Sequence, residues 1–288
     1  MNPQRSDVVL VTGASRGLGA EIALVLAQAG FRVWAGVRNQ EGAQRIVERA
    51  AERGMMLDTV ELDVTDSASV DRAIETVTKG GGALYGLVNN AGVTARCCFE
   101  EFPEEILRKI FEINVFGTMK VTQRAVPHLR GAGRGRIILI TSIGGLIGNL
   151  ALAPYVSSKF ALEGFGESLY LEMKPFGVDV VLVEPGIVKT EIWDPEQRVL
   201  PPARDPRSPY YEMFWRAEAQ ADKLLESSSQ TPGDVAATVL HAMTARRPRL
   251  RYIVGKRAAL VVSLRRKLPG ELFERFYFGE LLRRVAGR

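Results

Sequence analysis

Cysteine and histidine are scarce in this sequence. Of its 288 residues only two are cysteine, Cys97 and Cys98, and only two are histidine, His128 and His241. Adjacent cysteines cannot provide the spaced pairs of a disulfide framework or a CxxC metal site, and two distant histidines do not complete one. We therefore predict no metal site, and the unpaired thiols favour a reducing, cytoplasmic location.

Long apolar runs are absent as well. No segment approaches the ~20 apolar residues that a membrane-spanning helix needs, and the first residues, MNPQRSD, have no apolar stretch typical of a signal peptide. With 46% hydrophobic and 25% charged residues, the composition is that of an ordinary globular protein. The length suits one large α/β domain or two small ones.

The net charge of +5 is concentrated in one segment. Residues 246–288 hold 13 of the 38 basic residues but only 3 of the 33 acidic ones, so this segment carries +10 and the preceding residues about −5. No nucleic-acid-binding motif accompanies the basic charge, so nucleic acid is not a predicted partner.

Short apolar runs alternate with helical patterns along most of the chain. The runs predict strands at 7–13, 31–37, 56–62, 84–90, 136–142, 178–186 and 251–255. Such alternation is typical of a parallel sheet with helices on both faces. We predict a Rossmann-like, doubly wound α/β domain over residues 1–255, with strand order 3-2-1-4-5-6-7. It includes an irregular, proline-rich loop and a helix within 187–230, and a basic amphipathic extension follows at 256–288.

A glycine-rich turn, TGASRGLG, follows the first strand. Glycines permit a positive φ and let the backbone approach a pyrophosphate, which then lies at the N-terminus of the next helix. The spacing is GxxxGxG rather than GxGxxG. The predicted cofactor contacts here are Gly13, Ser15, Arg16, Gly17, Leu18 and Gly19; the alternative is a turn that binds no ligand.

The end of the second strand predicts which dinucleotide binds. An acidic residue there would bind the 2′-hydroxyl of NAD, but the chain reads Gly36-Val37-Arg38. Arg38 and Arg16 suit a 2′-phosphate, which favours NADP(H) over NAD(H), unless both are only solvated surface arginines. After the third strand, Asp63 and Val64 are candidates for binding the adenine. Turn and helix-capping chemistry is the competing interpretation there, and it suits Thr65 and Asp66 better.

Further signals follow the later strands in order. They are Asn90-Ala91-Gly92, Asn114, Ser142, Tyr155 with Lys159 one helical turn later, and Pro185-Gly186 with Thr190. With the GxxxGxG turn, this set resembles the short-chain dehydrogenase/reductase family in its compact single-domain branch. The resemblance covers roughly residues 7–245, and short segments such as SIGGLIG resemble hydroxysteroid and retinol dehydrogenases.

The resemblance implies roles for these residues. Lys159 binds the nicotinamide ribose and lowers the pKa of Tyr155, which exchanges a proton with the substrate oxygen. Ser142 orients that oxygen, and Asn114 holds a water that links Lys159 to solvent. The other implied cofactor contacts are Asn90, Ala91, Gly92, Pro185, Gly186, Val188 and Thr190, with the backbone near Ile187.

An apolar substrate pocket is predicted around the carbonyl site. The apolar side chains expected to line it suit a bulky apolar alcohol, ketone or aldehyde; alternatively they only pack the loop onto the sheet. These candidates are Leu146, Ile147, Leu150, Ile192, Trp193 and Phe214, with Tyr211 and Trp215. The basic extension has several possible roles: a packing helix, a cover for the substrate site, a contact with a neighbouring subunit, or a peripheral contact with an anionic membrane.

The resemblance also implies a homodimer or homotetramer paired through helices near 104–130 and 154–174. The function predicted overall is an NADP(H)-dependent oxidoreductase of the hydroxysteroid dehydrogenase or carbonyl reductase type. A catalytically silent NADP(H)-binding sensor or scaffold is the alternative. A nucleotide-sugar epimerase or dehydratase is disfavoured, because those enzymes have another glycine spacing and an extended substrate domain.

Overall fold

The structure, a computed structural model, describes residues 7–80, 82–190 and 194–286. Within these ranges no helix combines the length and the apolar character that crossing a bilayer requires.

Seven parallel strands of the described chain form one sheet. In chain order they are β1 (Val8–Thr12), β2 (Arg32–Val37), β3 (Asp58–Glu61), β4 (Leu84–Asn89), β5 (Gly135–Ile140), β6 (Val178–Pro185) and β7 (Arg251–Val254). Their order in space is β3-β2-β1-β4-β5-β6-β7, which confirms the predicted sheet. The winding direction reverses between β1 and β4, so a ligand crevice is expected at their carboxyl ends.

Helices connect the strands and extend beyond the last one. They are α1 (Gly17–Gln28), α2 (Gln40–Glu52), α3 (Ser67–Lys79), α4 (Glu104–Phe111), α5 (Thr118–Gly131), α6 (Ala153–Met173), α7 (Pro195–Arg198), α8 (Tyr211–Glu226), α9 (Pro232–Thr244), α10 (Lys256–Lys267) and α11 (Gly270–Ala286). A π-helical turn, Glu112–Gly117, joins α4 to α5. The loop expected to be irregular at 194–210 contains α7 and a 3₁₀ turn, Pro201–Arg204.

The core lies on both faces of the sheet, and β1 shows why. Its side chains alternate between the faces, so Val9 and Val11 pack with α1, α2 and α9, whereas Val8 and Leu10 pack with α3, α5 and α6. Because both faces are covered, the strand is buried throughout, and its residues are apolar up to Thr12 rather than alternating with polar ones. Packing on both faces fixes the positions of the strand ends, and the predicted site residues follow those ends.

The basic extension packs back onto the domain as α10 and α11. Val262 and Phe273 are buried against Ile147, in the segment between β5 and α6. A Cβ atom placed on Gly148 would lie 4.0 Å from Phe278 Cζ. The extension therefore covers the segment that was predicted to line the substrate pocket.

Candidate active site

The glycine-rich turn after β1 is packed so closely that two of its glycines admit no side chain. A Cβ atom on Gly19 would lie 2.3 Å from the Gly13 carbonyl oxygen, and one on Gly13 would lie 2.9 Å from Ala91 Cα. Gly13 also has a φ of +64° and Gly17 one of +56°, which glycine adopts without strain. The turn thus exposes backbone at the N-terminus of α1, the arrangement that accepts a pyrophosphate.

The segment after β4 holds this turn in place. The Asn90 side-chain amide donates to the carbonyl oxygens of Thr12 (3.0 Å) and Gly13 (3.1 Å). The backbone N–H groups of Asn90 and Ala91 both donate to Thr12 Oγ1 at 3.0 Å. The two predicted cofactor segments therefore form one hydrogen-bonded unit, in which the Asn90 side-chain amide donates to the turn itself.

The residues predicted to select the dinucleotide lie beside this turn. Arg16 and Arg38 are exposed, and Arg38 directly follows β2. Asp63 Oδ1 accepts from the backbone and the hydroxyl of Thr65, which lowers the pKa of Asp63 below its usual value, and Arg38 lowers it further. Asp66 caps α3, as the competing interpretation expected. Asp63 instead forms the turn with Thr65 that precedes this helix. Val64 is buried, beside Gly117.

Ser142, Tyr155 and Lys159 come together where β5 ends. Ser142 begins a 3₁₀ turn, and its hydroxyl accepts from the Gly144 N–H at 3.0 Å. The Ser142 and Tyr155 side chains lie on the same side of this turn: a Cβ atom on Gly144 would lie 3.4 Å from Ser142 Oγ and 3.6 Å from Tyr155 Cε1. Lys159 is buried; its Nζ donates to the Ile140 carbonyl oxygen at 2.9 Å and lies 5.7 Å from the centroid of the Tyr155 ring. The sequence spacing thus places both α6 side chains beside the same strand end.

The predicted effect of Lys159 on the pKa of Tyr155 stays a prediction. In this structure burial raises the pKa of Tyr155 above its usual value, and the neighbouring Ser142 hydroxyl opposes this. Burial lowers the pKa of Lys159 to about 8, opposed by the nearby charge of Glu163. The ammonium group bonds to a backbone carbonyl rather than the phenol, so Tyr155 stays protonated at neutral pH.

Asn114 is fully buried in the π-helical turn between α4 and α5. Its Oδ1 accepts from the Val93 N–H at 2.8 Å, and its Nδ2 donates to the Val93 carbonyl and to Ser158 Oγ, both at 3.0 Å. The Ser158 hydroxyl in turn donates to the Tyr155 carbonyl oxygen at 2.6 Å. The side chain therefore ties the segment after β4 to α6, and the water-holding role stays a prediction.

The predicted carboxamide-binding segment follows β6. The Gly186 N–H donates to the Val254 carbonyl oxygen at 3.0 Å, and Ser228 Oγ donates to the Ile187 carbonyl oxygen at 2.7 Å. The Val188 side chain is buried in the core, so only its backbone is available to a ligand. Pro185 is the last residue of β6, and Thr190 is partly exposed.

The candidate substrate residues fall into two packed clusters. Phe214 is fully buried with Cys97, Cys98 and Phe102, and Leu150 packs against this group. Ile147 is buried under the C-terminal extension, and Leu146 packs beside it. The Phe214 and Ile147 side chains are covered by protein in this structure, and their contact with a substrate stays a prediction. Ile192 and Trp193 lie outside the described residues.

A buried ion cluster that the sequence did not reveal holds the proline-rich segment. Glu218 of α8 is 2.7 Å from the Arg96 guanidinium and 3.2 Å from that of Arg198, and all three side chains are at most 5% exposed. Burial lowers the pKa of Arg96, opposed by Glu218. The Arg96 N–H also donates to the Arg198 carbonyl oxygen at 2.8 Å. The apolar spacing of α8 gave no sign that Glu218 faces inward.

Comparisons with known proteins agree with this geometry. The short chain dehydrogenase family matches residues 7–199. The chain is 32% identical to the NADPH-dependent 3-dehydrocapnine reductase of Ornithobacterium rhinotracheale, over 94% of this chain and 96% of the relative. It is 34% identical to human 17-beta-hydroxysteroid dehydrogenase type 1, over 90% of this chain and 80% of the relative.

A solved structure supports the same assignment. A short-chain dehydrogenase from Streptomyces avermitilis superposes with a TM-score of 0.76 at 30% identity, covering 96% of this chain and 98% of the other. The family match, the strand order and the grouping of Ser142, Tyr155 and Lys159 lead to one assignment: the chain belongs to the short-chain dehydrogenase/reductase family and is an oxidoreductase that acts on alcohol and carbonyl groups.

Proposed function

We propose that this protein is an NADP(H)-dependent oxidoreductase that interconverts a bulky apolar alcohol and its ketone or aldehyde. The observation that carries the proposal is the grouping of Ser142, Tyr155 and Lys159 at the end of β5. A nicotinamide dinucleotide, when bound, supplies or accepts the hydride, and the closely packed glycine turn fits its pyrophosphate.

The protein residues would handle the proton and the substrate oxygen. Tyr155, which burial keeps protonated, donates its proton to the carbonyl oxygen during reduction; in oxidation its deprotonated form accepts the proton of the alcohol. Ser142 binds the same oxygen and orients it. Lys159 binds the ribose hydroxyls.

The preference for NADP(H) rests on charge at the end of β2. Arg38 stands where NAD-binding chains carry an acidic residue, Arg16 in the glycine-rich turn is also exposed, and the relative from Ornithobacterium is named NADPH-dependent. An arginine pair binds a 2′-phosphate through charge-assisted hydrogen bonds, whereas a 2′-hydroxyl gains little from it.

The apolar substrate class is supported by the surroundings of the site. Leu146 and Leu150 are partly buried between β5 and α6, and Tyr277 and Phe278 of the extension pack against the cluster around Ile147. The similarity to a hydroxysteroid dehydrogenase agrees with a large apolar substrate.

The deciding experiment follows NADPH and NADH consumption by the purified protein against carbonyl compounds, from small sugars to steroids and retinal. We expect turnover of bulky apolar carbonyls with NADPH, and we expect Tyr155→Phe to lower kcat by about 10²–10⁴-fold while the NADPH Kd changes little. Turnover that survives in Tyr155→Phe contradicts the mechanism. NADPH binding without turnover of any carbonyl favours the silent sensor.

We also propose a homodimer or homotetramer. The helices expected to pair subunits carry large apolar side chains that are exposed: Phe116 (54%), Phe160 (41%) and Leu171 (71%). Burying such side chains favours association. Light scattering is expected to give a mass of at least two chains, and Leu171→Lys is expected to lower it; a monomeric unmodified protein refutes this.

A peripheral contact of the extension with an anionic membrane is a further proposal. Leu260 (61% exposed) and Phe276 (65% exposed) project among exposed basic residues, including Arg257, Arg265 and Arg275. Flotation with anionic and with neutral vesicles at low salt tests it, and equal absence from both vesicle fractions refutes it.

The free thiols of Cys97 and Cys98 support a cytoplasmic location.

A further inference from the structure

Two buried carboxyl groups are joined by one arginine, and one of them lies a helical turn from Lys159. Glu163 follows Lys159 by one turn on α6, and its side chain packs so closely that a Cβ atom on Gly145 would lie 3.0 Å from its Cγ. Glu184 is next to the last residue of β6 and is 0% exposed. It shares the strand face of Leu182, which packs in the core on the α6 side of the sheet.

Arg251 of β7 lies between the two carboxyl groups. Its Nε atom is 3.2 Å from Glu163 Oε2 and 3.1 Å from Glu184 Oε1, while its terminal nitrogen is 2.7 Å from the exposed Glu167. Neither oxygen of Glu184 meets a donor in hydrogen-bonding geometry among the described residues. One guanidinium shared by two buried carboxylates leaves a negative charge poorly compensated, which is costly away from water.

The pair therefore holds a proton near neutral pH. Burial raises the pKa of Glu184 to about 7, and the charge of Glu163 raises it too, while Arg251 and Arg266 oppose the rise. Burial also raises the pKa of Glu163, against a hydrogen bond from Thr141 and the charge of Arg251. Two interacting acids of this kind titrate as a unit.

Lys159 responds to the charge of Glu163, the member of the pair on its own helix. Burial lowers the pKa of Lys159 to about 8, so its own surroundings favour the neutral amine, and the negative charge of Glu163 raises the pKa. The other groups that face the pair are Glu167 on α6, Thr141 after β5, Arg251 on β7 and Arg266 on α10.

We propose that Glu163 and Glu184 are positioning residues that set the pH range of the enzyme by holding Lys159 in its charged form. As the pH rises, the pair releases its shared proton to solvent, and the negative charge that appears behind Lys159 delays the loss of the lysine proton. The effect on turnover rests on the proposed function, in which a charged Lys159 is needed at the site. The effect on the lysine itself does not.

The test compares pH profiles of kcat/KM and of the NADPH Kd for the unmodified protein and three isosteric variants. In Glu163→Gln the alkaline fall of both profiles is expected to move to lower pH by about one unit, because the nearest negative charge is lost. Glu184→Gln is expected to move it less, in the same direction. Glu167→Gln is the matched control: it removes an exposed partner of the same arginine and is expected to leave both profiles unchanged.

Each outcome decides the proposal. The proposal is refuted if the Glu163→Gln profile coincides with that of the unmodified protein. It is also refuted if Glu167→Gln shifts the profile equally, because the shift would then come from a disturbed Arg251. Glu163→Asp, which retains the charge, is expected to restore the profile at least in part. If no carbonyl is reduced, the proposed function fails, while the pH dependence of NADPH binding still tests the inference.

Infrared spectroscopy of the unmodified protein adds a readout that needs neither substrate nor cofactor. Just below neutral pH a buried protonated carboxyl group is expected to absorb apart from the ionised ones, and this band is expected to disappear in Glu184→Gln and as the pH rises through about 7. Absence of the band in the unmodified protein contradicts the shared proton even if the variants do not fold.

Discussion

Replacing Gly19 with alanine tests whether the glycine turn is built for close backbone approach. The new methyl group would lie 2.3 Å from the Gly13 carbonyl oxygen and 2.4 Å from Asn90 Nδ2, so the turn or the asparagine must move. Overpacking costs roughly 1–3 kcal/mol, and losing the two Asn90 hydrogen bonds costs about 1 kcal/mol each. We therefore expect the free energy of unfolding to fall by about 3–5 kcal/mol.

The cofactor measurement is the sharper one. Moving the turn displaces the backbone that would bind the pyrophosphate, so the NADPH Kd of Gly19→Ala is expected to rise by about 100-fold or more, since about 3 kcal/mol of binding corresponds to that factor. NADPH fluorescence titration measures it, beside urea unfolding.

Gly17→Ala is the matched control in the same turn. A Cβ atom there meets nothing within 4 Å, so the only cost is the positive φ of +56°, about 1–2 kcal/mol of stability. Its NADPH Kd is expected to rise far less. If the two variants bind NADPH equally well, the steric reasoning is wrong.

Three further predictions concern charged groups. Arg38→Ala is expected to weaken NADPH binding about tenfold or more while NADH binding changes little, with Arg45→Ala of α2 as the control; equal effects on both dinucleotides refute the phosphate contact. Glu218→Gln leaves two buried arginines without their shared anion and is expected to lower the free energy of unfolding by about 3–5 kcal/mol, measured against the exposed Glu212→Gln. The pKa of Glu184 is raised to about 7 in the folded protein, so protonation of this carboxyl group stabilises the folded state at low pH, and that stabilisation is lost as the pH rises towards 7. Urea unfolding is expected to show a fall of about 3 kcal/mol in the free energy of unfolding over this range, and the fall is expected to be missing in Glu184→Gln. A pH dependence that is unchanged in that variant contradicts the raised pKa.

The sheet and the grouping at its strand ends were predictable because they depend on local patterns. Apolar runs located all seven strands, and their order is the one expected of a doubly wound α/β domain. Tyr155 and Lys159 are one turn apart, so helical geometry alone places them together. The glycine turn is likewise a local signal, since its spacing and its position after β1 are read directly from the sequence.

Contacts between distant segments were not predictable in this way. Glu184 and Arg251 are on neighbouring strands whose register the sequence does not reveal, so their approach to Glu163 appeared only in the structure. The sequence shows that Phe214 is apolar, but it does not reveal whether substrate or protein covers this side chain. The direction of the Lys159 ammonium, towards the Ile140 carbonyl, depends on how α6 packs on β5, which the sequence does not reveal.

The packing of α10 and α11 onto the segment between β5 and α6 has a consequence for biosynthesis. A ribosome makes Ile147 well before Val262 and Phe273, its partners in the folded protein. During that interval the apolar segment of the nascent chain has no cover, and the edge of β6 has no β7 beside it. Exposed apolar surface and unpaired strand edges promote aggregation. Chains released early, before β7 and the last two helices are made, are therefore expected to depend on chaperones far more than the finished protein does.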